Sequence, residues 1–520
     1  MNNDTDKNAN GGTKPFAAGA QATKPVTPNS IAHELYPRLR EHGDPFSYTI
    51  AKRAIVRDGD VINVDCWVPD KQVNEEWFGA FLAKFYVYDE EEGEWYKYQD
   101  AGYYEQLSEE KMHRPIEWLL KKIAAKCPAT VLTKRLLFDF KAVKAITPMI
   151  VKGRGFAGVR SEFWKQPEDV IPVRNGALDI IEGVLRPHSP MYHFRGVMPY
   201  DYKPDEKCPQ WVKVLEHELD KDDIALLQMC FGVSLLINLP QKMLLMIGAT
   251  RSSKGLIATV WKLLVGAKNT AELRTRYLAD KFELGRLLHK KLLYGADVES
   301  DFLSVEGAFV VKRITGQDAI VPEYKHSNVV PAAQVITGFP VVTANSRLKI
   351  RFQGDKGPWT ERIIVLEFNK TIPEAEREPE LAARIMDEEG SGVLNWALAG
   401  LQTVLNNRGQ IALTQAQQAR RDALLDESES SVSFAREEVV TDEVASLTAD
   451  DAYDAYVRYC RQREWAPETP RRFWSELKEQ VTKLYGITQS HDLGPRRSLN
   501  GWRGLCLKRP LKCLGVEAEA

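Results

Sequence analysis

Met243-Leu-Leu-Met-Ile-Gly-Ala-Thr-Arg-Ser-Ser-Lys-Gly-Leu256 decides how this chain is read. Met243–Ile247 is a short apolar run that suits a buried strand. Gly248–Ser253 is a loop of mostly small residues, and from Lys254 an amphipathic helical pattern extends through Leu264. A strand that empties into a loop opening a helix aims loop amides and the positive helix end at an anion, and a lysine there adds a mobile charge. That is how a chain wraps a triphosphate. Gly248, Ala249, Thr250, Arg251, Ser252, Ser253, Lys254, Gly255 and Leu256 are therefore the candidate contacts to ATP. Compared with G-x-x-x-x-G-K-[ST], Ser253 stands where a glycine is expected and Gly255 where a hydroxyl is expected. The Cβ of Ser253 would be strained if the backbone there needs a positive φ. Gly255 lacks the hydroxyl that would hold Mg²⁺. An ordinary strand-to-helix turn looks similar in isolation, so the loop gains its meaning from residues farther along the chain.

Three later stations come in order. Lys291-Leu-Leu-Tyr-Gly-Ala-Asp-Val-Glu299 is an apolar strand ending in carboxylates. ATP hydrolysis needs a metal ligand and a group that orients water, which assigns Asp297 to Mg²⁺ and Glu299 to the water. Phe339-Pro-Val-Val-Thr-Ala-Asn345 is an apolar strand ending in an amide, and Asn345 is a candidate for holding that water beside the γ-phosphate. In Trp359-Thr-Glu-Arg-Ile-Ile-Val-Leu366, Arg362 precedes a strand, where its planar fork could be offered to a neighbour's phosphate.

With Lys312-Arg-Ile-Thr-Gly-Gln-Asp318, this ordered set resembles superfamily 3 helicases of the phage, plasmid and poxvirus primase-helicase type. Val170–Asp179, Leu185–Pro190 and Gly392–Gly400 are similar to segments flanking the motor in those proteins. The resemblance implies an α/β fold: a P-loop NTPase core of the AAA+-like superfamily 3 kind, an α+β N-terminal region and a C-terminal winged-helix domain. It also implies ATP and Mg²⁺ bound between the subunits of a ring, a hexamer by family precedent, with Arg362 reaching into the neighbouring site. Between Asp318 and Phe339, Lys325-His326 matches the basic pair on the family's pore loop, which would track phosphates without reading bases. Partners would be single-stranded and forked DNA and a separate primase or polymerase. The carboxylate cluster of a fused primase is missing from the N-terminal sequence. The alternative is an ATP-binding replication initiator or origin-binding protein with little motor activity.

The expected organisation is a disordered tail at 1–30, an N-terminal α+β region at 31–130, a domain preceding the helicase at 131–225, the ATPase core at 226–405, a helical and acidic linker at 406–449, and the winged helix at 450–520. Phe85–Tyr88 and Trp95–Tyr98 flank Asp89-Glu-Glu-Glu-Gly93 and predict a hairpin with a charged turn. Asp426–Ser431 is acidic and serine-bearing, as a boundary would be. Residues 451–512 hold 13 Lys and Arg against 7 Asp and Glu. Thr469-Pro470 starts a helix well. Phe473, Leu477, Val481 and Leu484 form its apolar stripe, and Arg471, Ser475, Lys478 and Thr482 lie opposite. Arg471 and Lys478, with Arg496 and Arg497 on an adjoining wing, are the candidate DNA contacts.

The chain has 520 residues, 44% hydrophobic and 27% charged, with a formal net charge of −2. That composition fits several globular domains and offers nucleic acid no global field, only local patches. Seven scattered cysteines without C-x-x-C spacing argue against zinc and disulfides, and a cytoplasmic setting is expected. No apolar run reaches membrane-spanning length. Gly153–Gly158 matches G-x-G-x-x-G, but no clear βαβ unit surrounds it, so it is set aside.

Overall fold

The computed structural model describes residues 26–57, 59–128, 131, 158–280, 282–299, 305–324, 331–346, 348–350, 356–374, 378–463, 465–493 and 499–508. Its chain divides into two compact units, residues 1–88 with 107–158, and residues 89–106 with 159–520.

The apolar runs of the second unit become five strands: β1 (Met243–Gly248), β2 (Thr270–Glu272), β3 (Leu292–Gly295), β4 (Phe339–Ala344) and β5 (Ile363–Phe368). They form one parallel sheet in the order β2-β3-β4-β1-β5. Parallel sheets are covered on both faces, which is why β1 is apolar at successive positions and does not alternate with polar residues. Leu244 and Met246 enter one core with Trp261 and Leu264 of the helix Lys254–Val265 and with Val393 and Leu401 of the helix Leu381–Asn406. Met243, Leu245 and Ile247 face the opposite core with Val311, Ile314 and Trp359. The sheet therefore keeps both faces buried and presents its strand ends, and in open parallel sheets ligands bind beyond the carboxyl ends.

Two small antiparallel sheets precede the core in this unit. The expected hairpin is there as strands Val87–Asp89 and Glu94–Tyr98, joined by a third strand, Tyr104–Leu107. Strands Val170–Val173, Gly176–Asp179 and Val184–Arg186 form the other. Helices Pro209–Glu218 and Lys221–Val233 then lead to β1.

The last part of the second unit runs helix Ser430–Glu438, strand Val439–Thr448, helices Ala449–Gln462 and Pro470–Tyr485, and strands Ser490–Leu493 and Leu499–Leu507. The final strand lies between the other two. Phe434, Tyr456, Phe473, Leu477 and Trp502 share its core. The acidic Asp426–Ser431 stretch is folded, because Ser430 and Ser431 are buried and the Ser430 hydroxyl sits 2.7 Å from that of Tyr456. Helix Pro470–Tyr485 begins where expected, although the Thr469 side chain makes no capping bond. Phe473, Leu477 and Val481 are buried as expected, but Leu484 is 40% exposed at the helix end and leaves the stripe.

In the first unit, helix Pro28–Leu35 starts inside the expected tail, held by a reciprocal Thr27–Ser30 capping box and by Asn29, which is buried against Phe46. Helices Glu75–Leu82 and Glu109–Lys126 complete its core, and strands Phe46–Arg57 and Asp60–Val73 form a long two-stranded ribbon. Among the described residues no helix is long and apolar enough to cross a membrane. The described cysteines are free. The set-aside glycine motif falls outside the described residues up to 157.

Candidate functional site

β1 ends at Gly248 against the end of β5, and the two backbones nearly touch. A Cβ on Gly248 would stand 2.1 Å from the Phe368 carbonyl oxygen, so only glycine fits. The loop then turns through Arg251, whose φ of +71° carries the left-handed step. Ser253, whose Cβ would be strained only at a positive φ, has φ −69° and is relaxed. The Arg251 carbonyl accepts the Ile372 amide at 3.0 Å, so the segment after β5 straps the loop.

Lys254 opens the helix and is only 4% exposed. Its Nζ donates to the carbonyls of Gly248 (2.8 Å) and Ala249 (2.7 Å) and to Ser252 Oγ (2.9 Å). The ammonium thus lies curled into the cradle its own loop forms. Burial lowers its pKa, opposed by the negative charges of Asp297 and Glu218. A Cβ added at Gly255 would meet nothing within 4 Å, so the side of the helix start lies open.

Glu218 escaped sequence reasoning. It ends the helix Pro209–Glu218, is 5% exposed, and its Oε1 accepts the Ser253 hydroxyl at 2.8 Å. Its Oε2 is buried without a hydrogen-bond partner. The signal was the serine at a glycine position, which brings a hydroxyl needing a partner.

The carboxyl ends of β3 and β4 bring Asp297 and Asn345 together. Asp297, at φ +42°, donates its amide to the Thr343 hydroxyl oxygen at 3.1 Å, and its Oδ1 lies 3.4 Å from Asn345 Nδ2. Both residues are exposed. Glu299 is also exposed but turns away from them to an ion pair with Arg276.

Arg362 lies apart from this group. It closes the short helix Gly357–Arg362 at the amino end of β5, whose other end pairs Phe368 with Gly248. Six residues of strand separate the two, roughly 17–20 Å. Its Nη1 donates to the Pro358 carbonyl at 2.9 Å, and its Nε is buried without a hydrogen-bond partner. On helix Pro470–Tyr485, Arg471, Ser475, Lys478 and Thr482 are all exposed on one side. Lys325, His326, Arg496 and Arg497 lie outside the described residues.

A cleft of about 940 Å³ opens elsewhere, lined by Glu92, Tyr96, Arg195, His289 and Tyr324 among others. No residue of the Gly248–Leu256 loop borders it, and acids and bases interleave on its walls, so its size does not make it the reactive centre.

Residues 75–217 match the family model described as D5 N terminal like, a domain of the phage and plasmid primase-helicase family. Solved structures of the apo C-terminal region of NrS-1 are similar to this chain at 11% identity. One has a TM-score of 0.42 and covers 83% of this chain and 99% of its own. A second has a TM-score of 0.43 with 83% and 100% covered.

Proposed function

We propose that this chain is an ATP-dependent, ring-forming DNA helicase of superfamily 3, acting in replication of a phage, plasmid or integrated element. The observation that carries this is the meeting of a buried lysine with a carboxylate and an amide. They lie beyond the carboxyl ends of β1, β3 and β4, where open parallel sheets bind ligands. The domain match upstream points to the same replication class.

In this proposal the phosphates replace the loop carbonyls and Ser252 as partners of Lys254, which moves from a self-satisfied position onto the β- and γ-phosphates. Loop amides and the helix start take the remaining charge. The donor set suits Mg²⁺, which demands few protein oxygens and keeps waters and phosphates. Exposed Asp297 is the protein ligand, and the open space at Gly255 leaves room for a water. Mg²⁺ when bound supplies neutralisation of the developing phosphate charge. Asn345, already beside Asp297, holds the attacking water. Glu299 joins it only after leaving Arg276.

Arg362 cannot serve its own loop across the length of β5, so its role requires a neighbouring subunit, and closed rotational symmetry supplies one. The last six elements run helix, strand, helix, helix, strand, strand, which is the order of a winged helix. They would set the Arg471–Lys478 face on DNA phosphates, with Arg496 and Arg497 beside it. Lys325 and His326 would follow one strand.

Two observations favour the alternative of a nucleotide-bound initiator. Gly255 offers no hydroxyl and Glu299 is engaged elsewhere, so binding could proceed with slow turnover. Steady-state ATPase with and without single-stranded DNA decides between them. The helicase proposal expects stimulation by DNA and its loss in Lys254→Ala. Nucleotide binding without stimulated turnover would favour the initiator, and no nucleotide binding would remove both.

A further inference from the structure

The large cleft lies between two sheet edges. Strand Tyr104–Leu107 ends its own three-stranded sheet and β2 ends the parallel one, and residues of both strands line the space. Lys268, just before β2, spans it by donating to Glu105 Oε1 at 3.0 Å. At about 940 Å³ the space is of the size that takes a small molecule. Several of its acids are already spent on neighbours. Glu105 holds Lys268, and Glu283, 2% exposed, accepts Arg274 Nε at 3.1 Å and Arg286 Nη1 at 2.7 Å.

The segment leading into β3 is different, because cations outnumber acids there. Arg195 donates to Glu92 Oε1 at 2.6 Å, and its guanidinium lies over Trp164 and Tyr96. His289 Nε2 stands 3.8 Å from the same oxygen, beyond hydrogen-bond reach. Among the described residues, neither that nitrogen nor Arg195 Nε has a hydrogen-bond partner, and both are buried. Lys290 Nζ donates to the Lys268 carbonyl at 2.7 Å. Burial lowers the Lys290 pKa, and so do the positive charges of Arg195, Lys268 and Arg286, opposed by Glu92. His289 itself is held at φ +58°, a left-handed backbone that is costly away from glycine.

A left-handed histidine with an unsatisfied nitrogen, beside cations that crowd one another, subtracts from stability. Such features persist where a protein has a use for them. An anion supplies what this floor lacks, since it accepts hydrogen bonds and offsets the crowded charge. The cleft also carries the opposite chemistry. Glu272 and Asp280 are exposed carboxylates, suited to hydroxyl donors such as those of a ribose, and Phe282 and Tyr324 give half-buried aromatic walls.

We propose that this cleft binds a nucleoside phosphate, with the phosphate on Lys290, His289 and Arg195 and the sugar hydroxyls at Glu272 and Asp280. The site uses no residue of the Gly248–Leu256 loop and does not rest on the helicase proposal.

Equilibrium dialysis of labelled AMP against the full chain tests it in a Lys254→Ala background, where the phosphate loop has lost its grip. AMP should bind there, one molecule per chain. Adding Lys290→Met should weaken binding by roughly tenfold or more, because a charge-assisted contact is lost. The same change should raise the melting temperature without ligand, since it removes a crowded cation. His289→Gly suits the left-handed backbone and should weaken AMP likewise, which keeps the test intact if Lys290→Met does not fold. Inorganic phosphate should compete, but roughly tenfold more weakly than AMP, because it reaches the floor alone. No AMP binding in Lys254→Ala overturns the site, and so does binding that Lys290→Met and His289→Gly both leave unchanged. Phosphate that binds as tightly as AMP overturns the nucleoside assignment. A lower melting temperature in Lys290→Met overturns the crowding on which the floor is argued.

Discussion

Adding one methyl group at either of two glycines of the lysine loop should have opposite outcomes. At Gly248 the new Cβ would lie 2.1 Å from the Phe368 carbonyl oxygen, with the Phe368 carbonyl carbon at 2.7 Å and its Cβ at 2.9 Å. Ordinary contact distance requires the ends of β1 and β5 to separate by about 1 Å, the range in which overpacking costs about 1–3 kcal/mol. The same shift strains the Ala249 amide bond to that carbonyl, 3.3 Å long, for about 1 kcal/mol more. Gly248→Ala should therefore lose roughly 2–4 kcal/mol and weaken nucleotide binding, because the Lys254 cradle begins at the carbonyl of Gly248 itself. At Gly255 nothing lies within 4 Å, and the residue is inside the helix Lys254–Val265. Gly255→Ala should gain about 0.5–1 kcal/mol from helix propensity. Urea unfolding of both variants, with a fluorescent-ATP titration, reads the contrast. Equal stability of the two would refute the close approach of β1 and β5 as the reason for a glycine at 248.

Two further substitutions probe the buried charges around the sheet. Lys291 is 9% exposed and its pKa is pushed down by burial to about 8, against an ordinary lysine value of 10.5. Below pH 8 the folded protein bears the cost of a buried ammonium, and between pH 8 and 10.5 the unfolded chain holds more protons, so this group adds stability as pH rises. Lys291→Met should stabilise by up to ~3 kcal/mol at pH 7 and by less at pH 10, and an advantage that grows with pH would contradict the assignment. Ser253→Gly restores the residue common in phosphate loops. It should nonetheless destabilise by about 1–3 kcal/mol, since it strips Glu218 of its hydrogen bond in a buried place. A neutral or stabilising outcome in thermal melts would show that the Ser253–Glu218 bond carries nothing.

Periodicity alone exposed the parallel core: β1 and β4 are uninterrupted apolar runs with small or polar stops, and helix Leu381–Asn406 follows the 3.6-residue spacing. Asp297 and Asn345 were legible because each ends such a run. Contacts between distant segments were not. Glu218 bonds a hydroxyl 35 residues on, and Glu91 grips an amide 241 residues away, separations at which no local pattern operates. The hairpin was legible, but the burial of its carboxylates was not, because it depends on partners such as Arg195 and Trp164, which only the fold supplies. The ribbon Phe46–Val73 escapes the sequence reading although Asp58-Gly59 between alternating runs is a strong hairpin signal. Leu484 falls outside the buried stripe because the helix passes the edge of its core before Gly486 ends it.

Subunit mixing tests most directly whether a triphosphate is gripped by one chain and completed by another. Lys254→Ala and Arg362→Ala should each be inactive alone, since one lacks the grip and the other the guanidinium. Mixed, they form some interfaces with an intact Lys254 facing an intact Arg362, and ATP turnover should reappear there. Mixtures that stay as inactive as their components would contradict a shared site, and with it the ring.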